Sequence, residues 1–231
     1  MRTPVAILQE MADQYCVKLG AVQPRRIEIQ LTDTRTVFFI NLVCGSRPVV
    51  GEGKAEDPSF VITVDSETLR RLSEGELAPL TAAGRERLSD PAPLDFNLPA
   101  GEEMTADRLA DMVEFVLRFF NPTRPERILL GEEHTRRIHG GRAVALFYDR
   151  GFRSAWYCLH KGEQLNRPGD TNPFPQGFIV LSGEGLATIG DRTTEIKTNE
   201  AYYIPSGATH VFRNDADEPL TGVWLAWGQG A

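Results

Sequence analysis

The stretch Pro205-Ser206-Gly207-Ala208-Thr209-His210-Val211-Phe212-Arg213-Asn214 decides how the C-terminal half of this chain is read. Proline and glycine two residues apart supply turn chemistry, and Val211–Arg213 reads as a short strand beginning just after a histidine. The same texture extends outward on both sides. Arg142–Tyr148, Ser154–His160, Phe178–Leu181, Leu186–Ile189, Ala201–Ile204 and Leu220–Trp227 are short strand-like runs separated by frequent glycine turns. Short strands at near-regular spacing, with no convincing helix among them, predict an all-β sandwich or small barrel.

Upstream the character changes. Asn121-Pro122-Thr123-Arg124-Pro125 carries two prolines that suit neither helix nor central strand, so it reads as a connection between domains spanning residues 1–121 and 126–231. The first of these opens on Thr3-Pro4, a helix cap followed by proline at the first helical position. Val5, Leu8, Met11, Ala12 and Tyr15 then recur at helical spacing until Gly20. Strand-like runs follow at Arg26–Leu31, Thr36–Val43 and Ser59–Val64, with Gly45 and Gly51–Gly53 as turns. A helix capped by Asp65 or Ser66 ends at Gly75. A last helix begins near Thr105, with Leu109, Met112, Val113, Val116, Leu117 and Phe120 on one apolar face and Phe115 and Phe119 widening it. The fold class predicted for this half is α+β.

The formal charge of −7 is spread over both halves with no basic face, which argues against a nucleic-acid partner. No run approaches the roughly 20 apolar residues of a membrane span. Acidic Glu10 and Asp13 in the opening helix do not suit a secretory signal, so a cytoplasmic location is expected. Cys16, Cys44 and Cys158 are odd in number and share no CxxC spacing, which favours reduced thiols over a disulfide framework.

The segments TVFFINLV…RPVVGEG, SFVITVDSETLRRLSEGEL and TAAGRERLSD, followed by the closing helix, resemble in their order the sterol carrier protein type 2 family. That resemblance implies a mixed sheet covered by helices and enclosing an apolar tunnel for lipids or acyl chains. Phe38, Phe60, Val116 and Phe120 would line it.

The second half resembles the cupin superfamily, a jelly-roll barrel. Pro205, Gly207, His210 and Asn214 reproduce its second motif, PxGxxHxxxN; Asn199 stands at the family's preceding glycine and is itself able to adopt a left-handed turn. Gly162 and Gly183 match the ends of the first motif. Between them the family's HxHxxxE, which supplies three metal ligands, is replaced by Asp170, Asn172 and Gln176. The resemblance implies that these three converge with His210 in one pocket.

Neutral amides hold a divalent ion poorly. Two readings stand: a metal-free polar pocket, which this donor chemistry favours, and a rebuilt site holding a divalent ion loosely through His210, Gln176 and Asp170. His160, at a strand end, is either a substitute ligand or simply exposed, while His134 and His139 read as surface-loop residues. Trp224 and Trp227 fall on opposite faces of one strand, so one points inward and the other suggests an interface, such as a homodimer through the barrel. The function expected is a non-catalytic binding protein, with a hydrophobic molecule or lipid in the first domain and a polar ligand or assembly role for the barrel. The alternatives are a cupin-type isomerase, lyase or oxygenase acting on a hydrophobic substrate, and a dimerising scaffold.

Overall fold

A computed structural model describes residues 2–20, 23–43, 45–85, 89–122 and 126–231. Cys44 and the Thr123–Pro125 part of the expected connection lie outside the described residues. The chain forms two compact units, Met1–Ala83 with Pro91–Leu129, and Gly84–Asp90 with Leu130–Ala231. The first unit takes in the expected connection at residues 121–126 and runs on to Leu129. A short piece of the first half, Gly84–Asp90, also belongs with the barrel, where the Arg136 guanidinium donates to the Gly84 carbonyl at 2.7 Å.

The first unit contains α1 (Pro4–Leu19), β1 (Arg25–Leu31), β2 (Val37–Leu42), β3 (Val49–Glu52), β4 (Phe60–Val64), α2 (Ser66–Ser73), α3 (Pro79–Ala83), β5 (Leu94–Asn97) and α4 (Ala106–Phe119). Local chemistry sets the helix ends. The Thr3, Asp65 and Thr105 side chains accept the backbone N–H of Ala6, Thr68 and Arg108, so each helix begins where its sequence supplies a cap. The strands pair in the order β3-β2-β1-β4-β5, antiparallel except for β1 with β4. This mixed sheet is α+β in class, with α1 packed on β2 and β3 and against α2 and α4.

Two sequence expectations change here. Gly51 is not in a turn but within β3, opposite Phe39, where a Cβ would lie 2.5 Å from the ring. Leu109, expected inward, is 39% exposed, while Phe115 and Phe119 are buried. The apolar face of α4 is therefore rotated toward the two phenylalanines. Large rings bury more area than the leucine, and the packing favours them.

The second unit contains β6 (Arg136–Ile138), β7 (Gly141–Asp149), β8 (Phe152–Leu159), β9 (Gln164–Leu165), β10 (Gln176–Ser182), β11 (Glu184–Ile189), β12 (Arg192–Lys197), β13 (Ala201–Ile204), β14 (His210–Arg213) and β15 (Leu220–Trp227). They form a six-stranded sheet, β13-β10-β15-β8-β7-β6, and a four-stranded sheet, β12-β11-β14-β9. Tyr157, Leu159, Phe178, Val180, Ala187, Ile196 and Phe212 fill the space between, where the Phe178 and Phe212 rings meet at 4.3 Å. Strand β12 escaped the sequence reading because only Ile196 among its six residues is buried. A polar edge strand carries no apolar alternation to read. Among the described residues no helix is long and apolar enough to cross a membrane.

Phe115 touches Tyr15, Phe60 and Phe119 at centroid separations of 4.9–5.1 Å. Phe115→Ala should lower the unfolding free energy of the first unit by about 3–5 kcal/mol in urea titration, as expected for a buried ring replaced by a cavity. Leu109→Ala on the exposed side of the same helix should cost well under half as much.

Candidate functional site in the barrel

Gln176, Phe178 and Val180 alternate with exposed or half-buried residues along β10, so their side chains share the buried face. His210 and Phe212 do the same on β14 of the other sheet. Gln176 and His210 each stand one inward position before the phenylalanines that meet across the barrel. Both are essentially inaccessible, at 0% and 1%.

The Gln176 carboxamide has a fixed orientation. Its Oε1 accepts the indole N–H of Trp224 at 2.8 Å and the Asn172 Nδ2 amide at 3.1 Å. An indole N–H can only donate, so the oxygen must face it and the amide nitrogen must point away. That Nε2 is buried and has no hydrogen-bond partner. His210 shows the complementary arrangement. Its Nδ1 lies 3.2 Å from the Ala208 carbonyl, which can only accept, so Nδ1 carries the proton and Nε2 is left with a lone pair. Nε2 is also buried without a partner.

Burial holds the His210 imidazole below the usual histidine pKa, outweighing the Ala208 hydrogen bond and the attraction of Asp170. The ring is neutral at pH 7. Asp170 itself is exposed, and its Oδ2 accepts the Arg167 backbone N–H at 2.9 Å. Asp170 and half-buried Asn172 line a cleft of about 580 Å³ with Arg137, His139 and Glu163. His210 borders another, of about 430 Å³, with Leu186, Thr188 and Arg213.

The turn before β14 clamps the first-motif segment directly. Gly207 N–H donates to the Asn172 carbonyl at 2.8 Å, and Ser206 Oγ to the Pro173 carbonyl at 2.6 Å. The last residue of the PSGATHVFRN stretch has a purely structural task. Buried Asn214 donates to the Leu159 and Glu218 carbonyls and accepts the Ala216 N–H. Asn199 adopts φ 71° and Gly183 φ 81°; a Cβ on Gly183 would meet the Pro219 carbonyl at 2.5 Å.

Residues 155–226 form a cupin domain. Solved structures similar to the cupin half include a Cupin 2 conserved barrel domain protein from Salinispora arenicola, 18% identical, covering 45% of this chain and 88% of that one with a TM-score of 0.40. A protein from Photorhabdus luminescens is 16% identical over 44% and 87%, with a TM-score of 0.41. A predicted oxalate decarboxylase from Thermotoga maritima is 16% identical over 38% and 79%, with a TM-score of 0.36. No curated protein matches the chain.

The donor set of this cupin domain does not fit a metal ion held through its two motifs. Of the expected ligands, Gln176 has committed its only donor oxygen to two N–H groups and turns toward the interior an amide nitrogen that cannot ligate a cation. Asp170 is exposed on its loop. Only His210 offers a buried lone pair. Trp224, which fixes the Gln176 carboxamide, is the inward one of the two β15 tryptophans; alternation in the sequence left open which of the two that is and gave no sign of the hydrogen bond. Trp227, 38% exposed, lies beside Tyr203.

The remaining residues singled out in the sequence fall elsewhere. Leu159 is in the barrel core, so alternation places Cys158 and His160 on the opposite face of β8. His160 is therefore not a replacement ligand within the barrel. Burial, with Glu132 alongside, pushes the Cys158 thiol up to about 11, which leaves it protonated and unreactive as a nucleophile. Phe38, Phe60, Val116 and Phe120 all lie in the apolar core of the first unit, each 3% exposed or less.

The His210 shift fixes a sign for pH dependence. A histidine whose folded pKa is depressed binds fewer protons folded than unfolded, so stability is complete above the unfolded value of 6.5 and declines as pH falls below it. Thermal melts of the wild type should lose midpoint from pH 7 toward pH 5, and His210→Gln should reduce that slope.

Proposed function

We propose that this protein is a non-catalytic binding protein whose cupin domain takes a small polar molecule in a metal-free interior. The observation that carries this reading is the pair of buried, unpartnered atoms, Gln176 Nε2 as donor and His210 Nε2 as acceptor. Buried polar groups are nearly always paired, so a donor and an acceptor left open on the inward faces of β10 and β14 invite a ligand carrying the complementary pair. A carbonyl oxygen beside a hydroxyl meets both requirements. The carboxylate whose charge reaches the His210 ring is that of Asp170, which is exposed on its loop and engaged by the Arg167 N–H, and this favours binding over the acid–base chemistry of an isomerase or lyase.

For the first unit, a mixed sheet with helices packed on it, we propose a hydrophobic ligand. A cleft of about 390 Å³ opens beside the Phe60 ring, with Leu98 and Met112 next to it and Arg25 and Arg108 among its lining residues. Arg25 lies 5.8 Å from the centre of the Phe60 ring and is paired with Asp111. Asp57, Glu102 and Asp111 also line the cleft, and Arg108 is paired with Glu102, so the support for an acyl ligand here is the apolar contact offered by Phe60, Leu98 and Met112.

Titration of tryptophan fluorescence with glycolate, lactate and their amides should give a saturable change through Trp224, abolished by Gln176→Leu and by His210→Leu. Retention of stoichiometric iron or manganese that disappears in His210→Ala would overturn the metal-free reading and favour an enzyme. For the first unit, a fluorescent long-chain fatty acid should bind at micromolar concentration and be displaced by oleate. Absence of displaceable binding in the folded protein would leave this unit as a filled core.

A further inference from the structure

The outer face of β8 ends in a second cluster that the cupin motifs do not touch. Cys158 and His160 flank Leu159 and point away from the barrel core, and the short 3-10 turn Glu132–His134 brings Glu132 to them. One donor atom from each of Glu132, Cys158 and His160 lies within 4.8 Å of the others. Cys158 Sγ is 3.8 Å from Glu132 Oε1, and His160 Nε2 is 2.8 Å from Glu132 Oε2. Close as it is, the histidine–carboxylate approach is not a hydrogen bond in its alignment, and His160 Nε2 is a buried atom without a hydrogen-bond partner. A tetrahedral ion with bonds of about 2.0–2.3 Å needs its donors roughly 3.3–3.5 Å apart. The Cys158 separation of 3.8 Å and the His160 separation of 2.8 Å, each to a different oxygen of the one carboxylate, lie on either side of that value, so a small rotation of the Glu132 carboxylate would bring one oxygen to both.

We propose that Glu132, Cys158 and His160 bind one zinc ion. Thiolate, imidazole and carboxylate together are the donor types that zinc accepts in four-coordinate sites. The side toward Glu132, which is exposed, leaves the fourth position to water. The shell around the donors supports this geometry. Arg142, paired across the sheet with Cys158, is the nearby cation, with Nε 3.7 Å from Glu132 Oε2. Its charge is engaged by Glu163, whose two oxygens lie 2.6 and 2.7 Å from Arg142 Nη1. Glu163 also accepts the His160 backbone N–H at 2.9 Å, holding the histidine at the strand end. Binding would release the Cys158 thiol proton to solvent and tie the 130–135 segment to β8, stabilising the folded chain. The site is separate from the barrel interior and independent of the ligand proposed there.

Cobalt substitution in the reduced full-length chain gives a direct test, because a thiolate-to-cobalt charge-transfer band in the near ultraviolet reports sulfur ligation. The expected result is a band that saturates at one equivalent, is displaced by zinc and accompanies a rise in melting temperature. Cys158→Ser should abolish it, and His160→Gln should weaken zinc affinity by about tenfold or more. His210→Ala should leave band and stoichiometry intact. Absence of the band in the folded wild type would overturn the site, as would a band that survives Cys158→Ser. A band lost in His210→Ala would overturn it too, and would place the ion in the barrel interior instead.

Discussion

Gln176 Oε1 receives the Trp224 indole N–H and the Asn172 amide in a position where the glutamine is wholly buried. A carboxamide has one oxygen and one nitrogen, and two donors on the oxygen settle which way each end faces. From that constraint follow the inward direction of Trp224, the position of the Asn172 segment and the character of the interior. A glutamate here would present an anion to the same two donors and keep a second oxygen for a cation. Glutamine presents an N–H instead. The change of one atom converts a position suited to a cation into one suited to a hydrogen-bond acceptor.

His210 and Asn214 show how one short motif divides its work. Asn214 uses both ends of its amide to satisfy the backbone of Leu159, Ala216 and Glu218, closing the turn that joins β14 to β15 and β8. Its environment is complete. That of His210 is half complete, with Nδ1 engaged by the Ala208 carbonyl and Nε2 open. A low-dielectric interior makes an unpaired polar atom costly, so in the proposed binding role a ligand would gain most at this open half.

The first unit places its aromatic residues differently. Tyr15, Phe60, Phe115, Phe119 and Phe120 form a connected set of edge-to-face and stacked rings between sheet and helices. Ring-to-ring contact of this kind is what a filled core requires. In the proposed carrier role, an amphiphile entering beside Phe60 would exchange those contacts for its own chain, and its affinity would be the difference between two favourable packings.

Caps, turns and residue types were legible in the sequence because they are local. Thr3, Asp65 and Thr105 start their helices by hydrogen bonds spanning three residues, and Asn199 and Gly183 occupy left-handed turns. The cupin domain was legible for the same reason: Pro205, Gly207, His210 and Asn214 lie within ten residues of one another. Periodicity on α4 reached further but misplaced Leu109, since a stripe of apolar residues defines a face only to within the width that packing then chooses. Polar β12 left no periodic trace at all. The sequence by itself determined which donor atoms the barrel possesses, and so excluded the usual set of imidazoles and carboxylate. Only the tertiary structure decided which lone pairs remain open, because hydrogen bonds from distant Trp224 consume one and leave another. Likewise, 26 residues separate Glu132 from Cys158, and only the folding of the chain over β8 brings carboxylate, thiol and imidazole within reach of a single ion.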